Sequence, residues 1–360
     1  MKNVYILTFA GSVNYGAAFQ GYALYKTVVD LGYPCKIIDY NRITHHKNYV
    51  MPAFSQSSFK GKILKLLTSR DRRILSEKFN TFVLKHEILT EPYDGEQSLI
   101  QETWDQGDIY LLGSDQVLNL GVTGGDFHYY FDFIDSPNKI SYAPSFGTNL
   151  IPSEFKTKAE DLLRQFQCLT VREESGAKLI EEATGKTPEV VLDPSFLLSA
   201  EQWKAIFVKP REKKYVLLFP FRQNSGCIAA ARAYAEKVGL PLINIAYMVG
   251  HVDGAINIKN LSPEEWGGYV ANANKVFTDS FHGMVFSLIF KRKIYVELDK
   301  ESQKVSRNSR VMDLLNRIGA NSILENKDPD YQEIDIALSR EIEKSKKTLT
   351  DMLAAVSSEE

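Results

Sequence analysis

The feature that most constrains this chain is a strand that runs directly into a glycine-bearing turn, a helix, a break and a second strand. An apolar run over 3–9 ends at Gly11-Ser12-Val13-Asn14-Tyr15-Gly16. A helical pattern follows, with Phe19, Leu24 and Val28 recurring toward one face, until Gly32-Tyr33-Pro34 breaks it. Cys35-Lys36-Ile37-Ile38-Asp39-Tyr40 then reads as another strand. Such a βαβ unit nearly always crosses over right-handed within a parallel sheet. Residues 45–90 interrupt the scheme. They are polar, then basic and helical, with Lys60, Lys62, Lys65, Arg70, Arg72 and Arg73 clustered, and read as an excursion that is free to move.

The alternation resumes at Asp108-Ile109-Tyr110-Leu111-Leu112, a buried strand ending at Gly113-Ser114-Asp115-Gln116. Strands are expected at 139–143, 167–171 and 189–192, and helices at 153–166 and 173–183. Beyond a Pro-bearing connector over 194–212, Tyr215-Val216-Leu217-Leu218-Phe219 opens a second series. It continues with helix 225–238, strand 241–246, helix 262–272, strand 275–278, a helix from Gly283 and a strand at 293–297. Two successive series predict an α/β protein of two Rossmann-like domains facing each other, 1–200 and 201–330. An amphipathic helix and tail follow over 331–360, with Ile334, Ile336, Leu338, Ile342, Leu349 and Leu353 at mostly helical spacing.

Composition excludes several function classes. Lys and Arg total 43 against 45 Asp and Glu, a net charge of −2, which argues against a broad nucleic-acid surface. No apolar run approaches the ~20 residues of a membrane span. The first strand also reaches its turn too quickly for a signal peptide. Cys35, Cys168 and Cys227 lack disulfide or zinc spacing and read as small buried apolar residues. His45, His46, His86, His128 and His251 show no metal-ligand pattern. The expectation is a cytoplasmic, reduced protein with no metal.

In open α/β sheets ligands bind beyond the carboxyl ends of the strands, so four polar loops become candidates. The sharpest is Thr278-Asp279-Ser280-Phe281-His282-Gly283, where a helix N-terminus suits an anion. There Ser280 offers a hydroxyl, Gly283 close backbone approach, and His282 a hydrogen bond or proton transfer. The plainer alternative makes His282 a satisfied structural imidazole. In the loop Gly113 to Gln116, Asp115 is a base or sugar-hydroxyl acceptor, or else an Asx-turn residue. The first loop lacks both the dinucleotide and the phosphate-loop glycine patterns, leaving a neutral sugar or a phosphate as its ligand. Arg222, in Phe221-Arg222-Gln223-Asn224, leaves a strand toward the cleft. Arg307 and Arg310 precede the helical run over 311–318, where a guanidinium fork suits a carboxylate or phosphate. Surface ion pairing or solvated charge is the alternative for all three. Arg172 reads as an ion pair bracing the turn before Glu173 and Glu174.

Taken in order, several segments resemble the polysaccharide pyruvyl transferase family. They are Asn14-Tyr15-Gly16 with Gln20-Gly21-Tyr22-Ala23-Leu24, Gly113-Ser114-Asp115-Gln116-Val117-Leu118-Asn119, and Ser141-Tyr142-Ala143-Pro144-Ser145-Phe146-Gly147. Val171-Arg172-Glu173-Glu174-Ser175-Gly176, Val191-Leu192-Asp193-Pro194 and Thr278 to Gly283 complete the set. The resemblance implies a GT-B-like pair of domains with the active site between them. It implies ketal pyruvyl transfer from phosphoenolpyruvate, a co-substrate, to a sugar of a cell-surface polysaccharide precursor, with no other cofactor. The acceptor would be a lipid-linked oligosaccharide at the inner membrane face, giving the basic stretch a peripheral contact. Family members pair the second-domain His with an Arg two residues earlier; here that position is Ser280, so Arg222, Arg310 or Arg307 must replace it. The expected roles are His282 as acid and Asp115 as base. Ser280, Gly283 and the three arginines are placed on the donor, and Asn14, Tyr15, Gly16, Ser114 and Gln116 on the acceptor. A sugar-nucleotide glycosyltransferase and a non-catalytic carbohydrate-binding protein remain the alternatives.

Overall fold

A computed structural model describes residues 2–42, 59–223, 225–299 and 308–358. Two parallel sheets form. The first has the order β2-β1-β3-β4, from β1 (Val4–Leu7), β2 (Cys35–Ile37), β3 (Ile109–Leu112) and β4 (Lys139–Ser141). A bridge from Ile140 to Cys168 carries it on to the short parallel pair β5 (Thr170–Val171) and β6 (Glu189–Val190). The second sheet has the order β11-β10-β7-β8-β9, from β7 (Val216–Phe219), β8 (Leu242–Ile245), β9 (Ile256–Ile258), β10 (Lys275–Thr278) and β11 (Lys293–Val296). This is the GT-B-like α/β architecture, closed by a C-terminal helix. Each sheet reverses its strand order once, between β1 and β3 and between β7 and β10. Those switch points are where such sheets open a crevice.

The helix Tyr15–Asp30 lies between the two units and is buried over most of its length. Leu24 and Val28 pack with Val4 and Ile6 of the first sheet. Phe19 instead joins Trp203, Trp266 and Phe286 on the second unit. The expectation of one shared face therefore fails, because a helix apolar all round is buried all round.

The described part of the excursion is likewise tied down, while residues 45–58 lie outside the described residues. In the helix Phe59–His86, Leu75, Phe79, Phe82 and Val83 recur at helical spacing and enter the same aromatic core. His86 lies 3.3 Å from Glu264, and Lys78 lies 2.7 Å from Glu265. Arg70 and Arg73 are exposed, while the side chains of Lys60, Lys62 and Lys65 lie outside the described residues.

The connector over 194–212 contains a helix, Ala200–Ile206, closed by a capping box between Ser199 and Gln202. The expected strands at 139–143, 167–171 and 189–192 are shorter than foreseen, and β9 is an addition. The terminal helix Tyr331–Ser358 spans both units. Ile334 and Leu338 pack with Leu315 and Ile323 of the second, and Leu349, Leu353 and Val356 with Val4 and Leu24 of the first. Ile336, placed on its apolar face by spacing, is exposed.

Candidate active site

The two switch points face one cavity of about 530 Å³. Its walls include Asn14, Tyr15, Gly16, Asp115 and Gln116 from the first unit. Arg222, Asp279, Ser280, His282 and Arg310 come from the second. All four loops singled out by strand-end position contribute, through Asn14, Asp115, Arg222 and His282.

Ser280 caps the helix Phe281–Ile289, its Oγ accepting the Gly283 N–H at 3.3 Å. The helix thus begins two residues before Gly283. Gly283 does not line the cavity; a Cβ there would lie 2.7 Å from Thr278 Oγ1, so the glycine serves packing against β10 rather than ligand approach. A Cβ on Gly16 would lie 2.0 Å from His282 Nδ1, so here glycine lets the imidazole lie against the start of the first helix. Asn14 caps that helix, accepting from Gly16 and Ala17 N–H at 2.9 and 3.3 Å. Tyr15 stacks on Trp266 and donates its hydroxyl to the Leu261 carbonyl at 2.9 Å, which commits that group to joining the units. Ser114 is fully buried beneath the cavity and is not in its wall. Gln116 remains in the wall, accepting from Asn119 Nδ2 at 3.1 Å.

Asp115 has φ 72° and ψ −171°, a region otherwise reserved for glycine and costing on the order of 1–3 kcal/mol. Its Oδ1 accepts the Gln116 N–H at 2.9 Å and lies 3.6 Å from Arg172 Nη2. Arg172 is fully buried. Its nearest acid is Asp193, with Nη1 to Oδ2 at 2.7 Å, while Glu173 stands off at 3.9 Å. Arg172 is ion-paired at this turn as expected, and its closest partner is the distant Asp193. Burial alone would depress the Arg172 pKa, but Asp193, Asp115 and Glu173 reverse the direction and raise it. Asp193 in turn lies 3.3 Å from His282 Nε2. A continuous ionic chain, Asp115–Arg172–Asp193–His282, thus runs under the cavity from one unit to the other. Glu173 anchors it by accepting from Ser145 Oγ at 2.7 Å and Phe146 N–H at 3.2 Å.

The cations differ in how far they are committed. Arg222 gives Nε to Asp279 at 3.0 Å, Nη1 to Asp299 at 2.8 Å and Nη2 to the Glu297 carbonyl at 3.3 Å. Arg310 lies over the Phe281 ring, and its buried Nε has no hydrogen-bond partner among the described residues. Burial lowers its pKa, and the nearby Arg172 charge lowers it further. Arg307 lies outside the described residues.

Fold and cavity together define a two-domain α/β protein whose two parallel sheets turn their switch points toward one shared cavity. The chain belongs to the polysaccharide pyruvyl transferase family, whose family model matches residues 14–296. No curated protein sequence matches it. Among solved structures it is similar to the UDP-GlcNAc 2-epimerase of Neisseria meningitidis bound to UDP-GlcNAc, at 11% identity and TM-score 0.48, over 99% of this chain and 100% of that one. It is also similar to the Methanocaldococcus jannaschii UDP-GlcNAc 2-epimerase in complex with UDP-GlcNAc and UDP. That match has 13% identity and TM-score 0.47, again over 99% and 100%. A Streptomyces glycosyltransferase matches at 11% identity and TM-score 0.36, over 97% and 96%.

Proposed function

We propose that this chain forms a pyruvate ketal on a sugar, using phosphoenolpyruvate as donor. The observation that carries the reading is the meeting, in one cavity, of His282 with an arginine that has an unsatisfied N–H, Arg310. The donor carries a phosphate and a carboxylate, and a guanidinium fork matches either anion. Arg310 takes the place of the arginine missing at position 280. Arg222, held by three acceptors, shapes the wall instead.

The chemistry needs one proton on the donor's methylene carbon and two sugar hydroxyls. His282 delivers the proton, and positive charge develops at the carbon bearing the phosphate. One hydroxyl attacks that carbon, phosphate leaves, and the second hydroxyl closes the ketal. Of the two hydroxyl protons, one returns to the imidazole and one leaves with phosphate. Asp115, at the acceptor side of the cavity, is the base through which the second of these protons passes to phosphate. Gln116 and Asn14 line the same side. In this reading the acceptor is a lipid-linked sugar at the inner membrane face, and exposed Arg70 and Arg73 contribute to a peripheral contact. Among the described residues, no helix is long and apolar enough to cross a membrane.

Isothermal titration tests the reading against its alternatives. Binding of phosphoenolpyruvate, weakened by Arg310→Ala, supports it. Binding of a nucleotide sugar in its place would make the chain a glycosyltransferase, and sugar binding alone a non-catalytic relative.

A further inference from the structure

His282 belongs to the second unit, yet groups from earlier in the chain hold it on two sides. Gly16 lies against Nδ1. Toward Nε2 stands Asp193, the one carboxylate within ion-pair reach of the ring among the described residues. At 3.3 Å the two are within ion-pair reach but not aligned as a hydrogen bond, and Nε2 is otherwise buried and unpartnered. Asp193 cannot swing away. It is fully buried, its Oδ1 accepts the Ser195 N–H at 2.9 Å, and its Oδ2 takes Arg172 Nη1 at 2.7 Å. Above it, the Leu192 N–H donates to Ser345 Oγ of the terminal helix at 3.0 Å, fixing the backbone that carries it. Nδ1 likewise has no hydrogen-bond partner among the described residues; it packs against Gly16, and both residues line the cavity.

We propose that Asp193 is the positioning residue for His282: it keeps a proton on Nε2 and so makes Nδ1 the atom that exchanges protons with substrate. A ring nitrogen facing a fixed carboxylate carries hydrogen, and the tautomer at the other nitrogen follows from it. The chemical consequence rests on the pyruvyl-transfer reading. The Nδ1–H bond of the imidazolium breaks as a C–H bond forms at the donor's methylene carbon, and the ring is left neutral with Nε2–H toward Asp193. Burial alone would raise the Asp193 carboxyl pKa. His282 and Arg172 outweigh burial and hold it well below the usual carboxylate range, so the carboxylate stays charged throughout. Asp193 follows β6 of the first unit and His282 opens the helix after β10 of the second, so the pair joins the two units.

Selective ¹⁵N-histidine labelling with long-range proton–nitrogen correlation reads the tautomer without any substrate, the resonance being assigned by its loss in His282→Gln. The wild-type chain is expected to show the Nε2–H form, and Asp193→Asn to lose it. A Nδ1–H form in the wild type, which requires no variant to fold, overturns the proposal, as does an unchanged tautomer in Asp193→Asn. In turnover, Asp193→Asn is expected to lower kcat roughly 10- to 100-fold, the scale for losing a group that orients a working histidine, with the donor KM within about threefold. Asp193→Glu should restore part of it. A Nε2–H tautomer in a chain that does not turn over phosphoenolpyruvate supports the positioning role and overturns the donor assignment instead.

Discussion

Gly16→Ala puts the contact between the two units under direct strain. The new Cβ would lie 2.0 Å from His282 Nδ1, 2.4 Å from Cε1 and 2.5 Å from Cγ, where ordinary contact begins near 3.4 Å. The imidazole would have to retreat by about 1.4 Å, and Asp193 stands 3.3 Å from its Nε2. Misplacement of a reacting group by about 1 Å costs on the order of 100-fold in rate. Stability moves much less. Overpacking costs about 1–3 kcal/mol, while alanine in a helix regains up to about 1 kcal/mol over glycine. The assay is phosphoenolpyruvate-dependent phosphate release at saturating acceptor, with thermal melting alongside. In a His282→Ala background the ring is gone, so Gly16→Ala should leave Tm unchanged or raise it, a non-additivity that only a direct contact produces. Turnover within about threefold of wild type in Gly16→Ala, or an equal loss of Tm in both backgrounds, would refute the reasoning.

Arg310→Ala should weaken phosphoenolpyruvate binding by roughly 1.5–3 kcal/mol by calorimetry, the scale for a charged hydrogen bond. Arg222→Ala should instead lower Tm with little change in donor affinity, because it leaves the fully buried Asp279 carboxylate without its cation. Asp115→Asn keeps the side chain's size and an oxygen that can accept the Gln116 N–H, so transfer should slow while donor affinity holds; collapse of donor affinity would contradict its placement on the acceptor side. Burial would raise the Glu264 pKa, but the hydrogen bond from His86 and further contacts bring it down to about 2. A depressed carboxylate stabilises the fold above its unfolded value near 4.3, and that contribution is lost as pH falls toward about 2. Urea midpoints over that window should therefore fall more steeply for wild type than for Glu264→Gln.

The strand ends were legible because each apolar run stops at a polar or glycine-bearing turn, and this alone located the cavity. The ordered motifs located the family. What sequence could not supply was the partner of each charge. Arg222 does leave β7 at the cleft, but its carboxylates arrive from Asp279 and Asp299, which only the sheet order brings beside it. Arg172 sits next to two glutamates in sequence, yet pairs with Asp193 and Asp115 from other loops. Gly16 and Gly283 look equivalent as loop glycines, and only packing separates the one facing His282 from the one facing Thr278. The strand β9 is three residues long with Ile256 exposed, so it gives no alternation to read. The capping box at Ser199 and Gln202 was a readable signal for the connector helix.

The central claim is that His282 and Arg310 act on one donor, phosphoenolpyruvate, to build a ketal across two hydroxyls of a sugar. Incubating the chain with phosphoenolpyruvate and a panel of sugar acceptors, followed by mass spectrometry of the sugars and assay of free phosphate, tests it most directly. The account predicts one phosphate released per pyruvate ketal formed, only with acceptors bearing a suitably placed hydroxyl pair, and loss of both products in His282→Ala. Glycosyl transfer from a nucleotide sugar by the same chain, with no ketal from phosphoenolpyruvate on any acceptor, would contradict it.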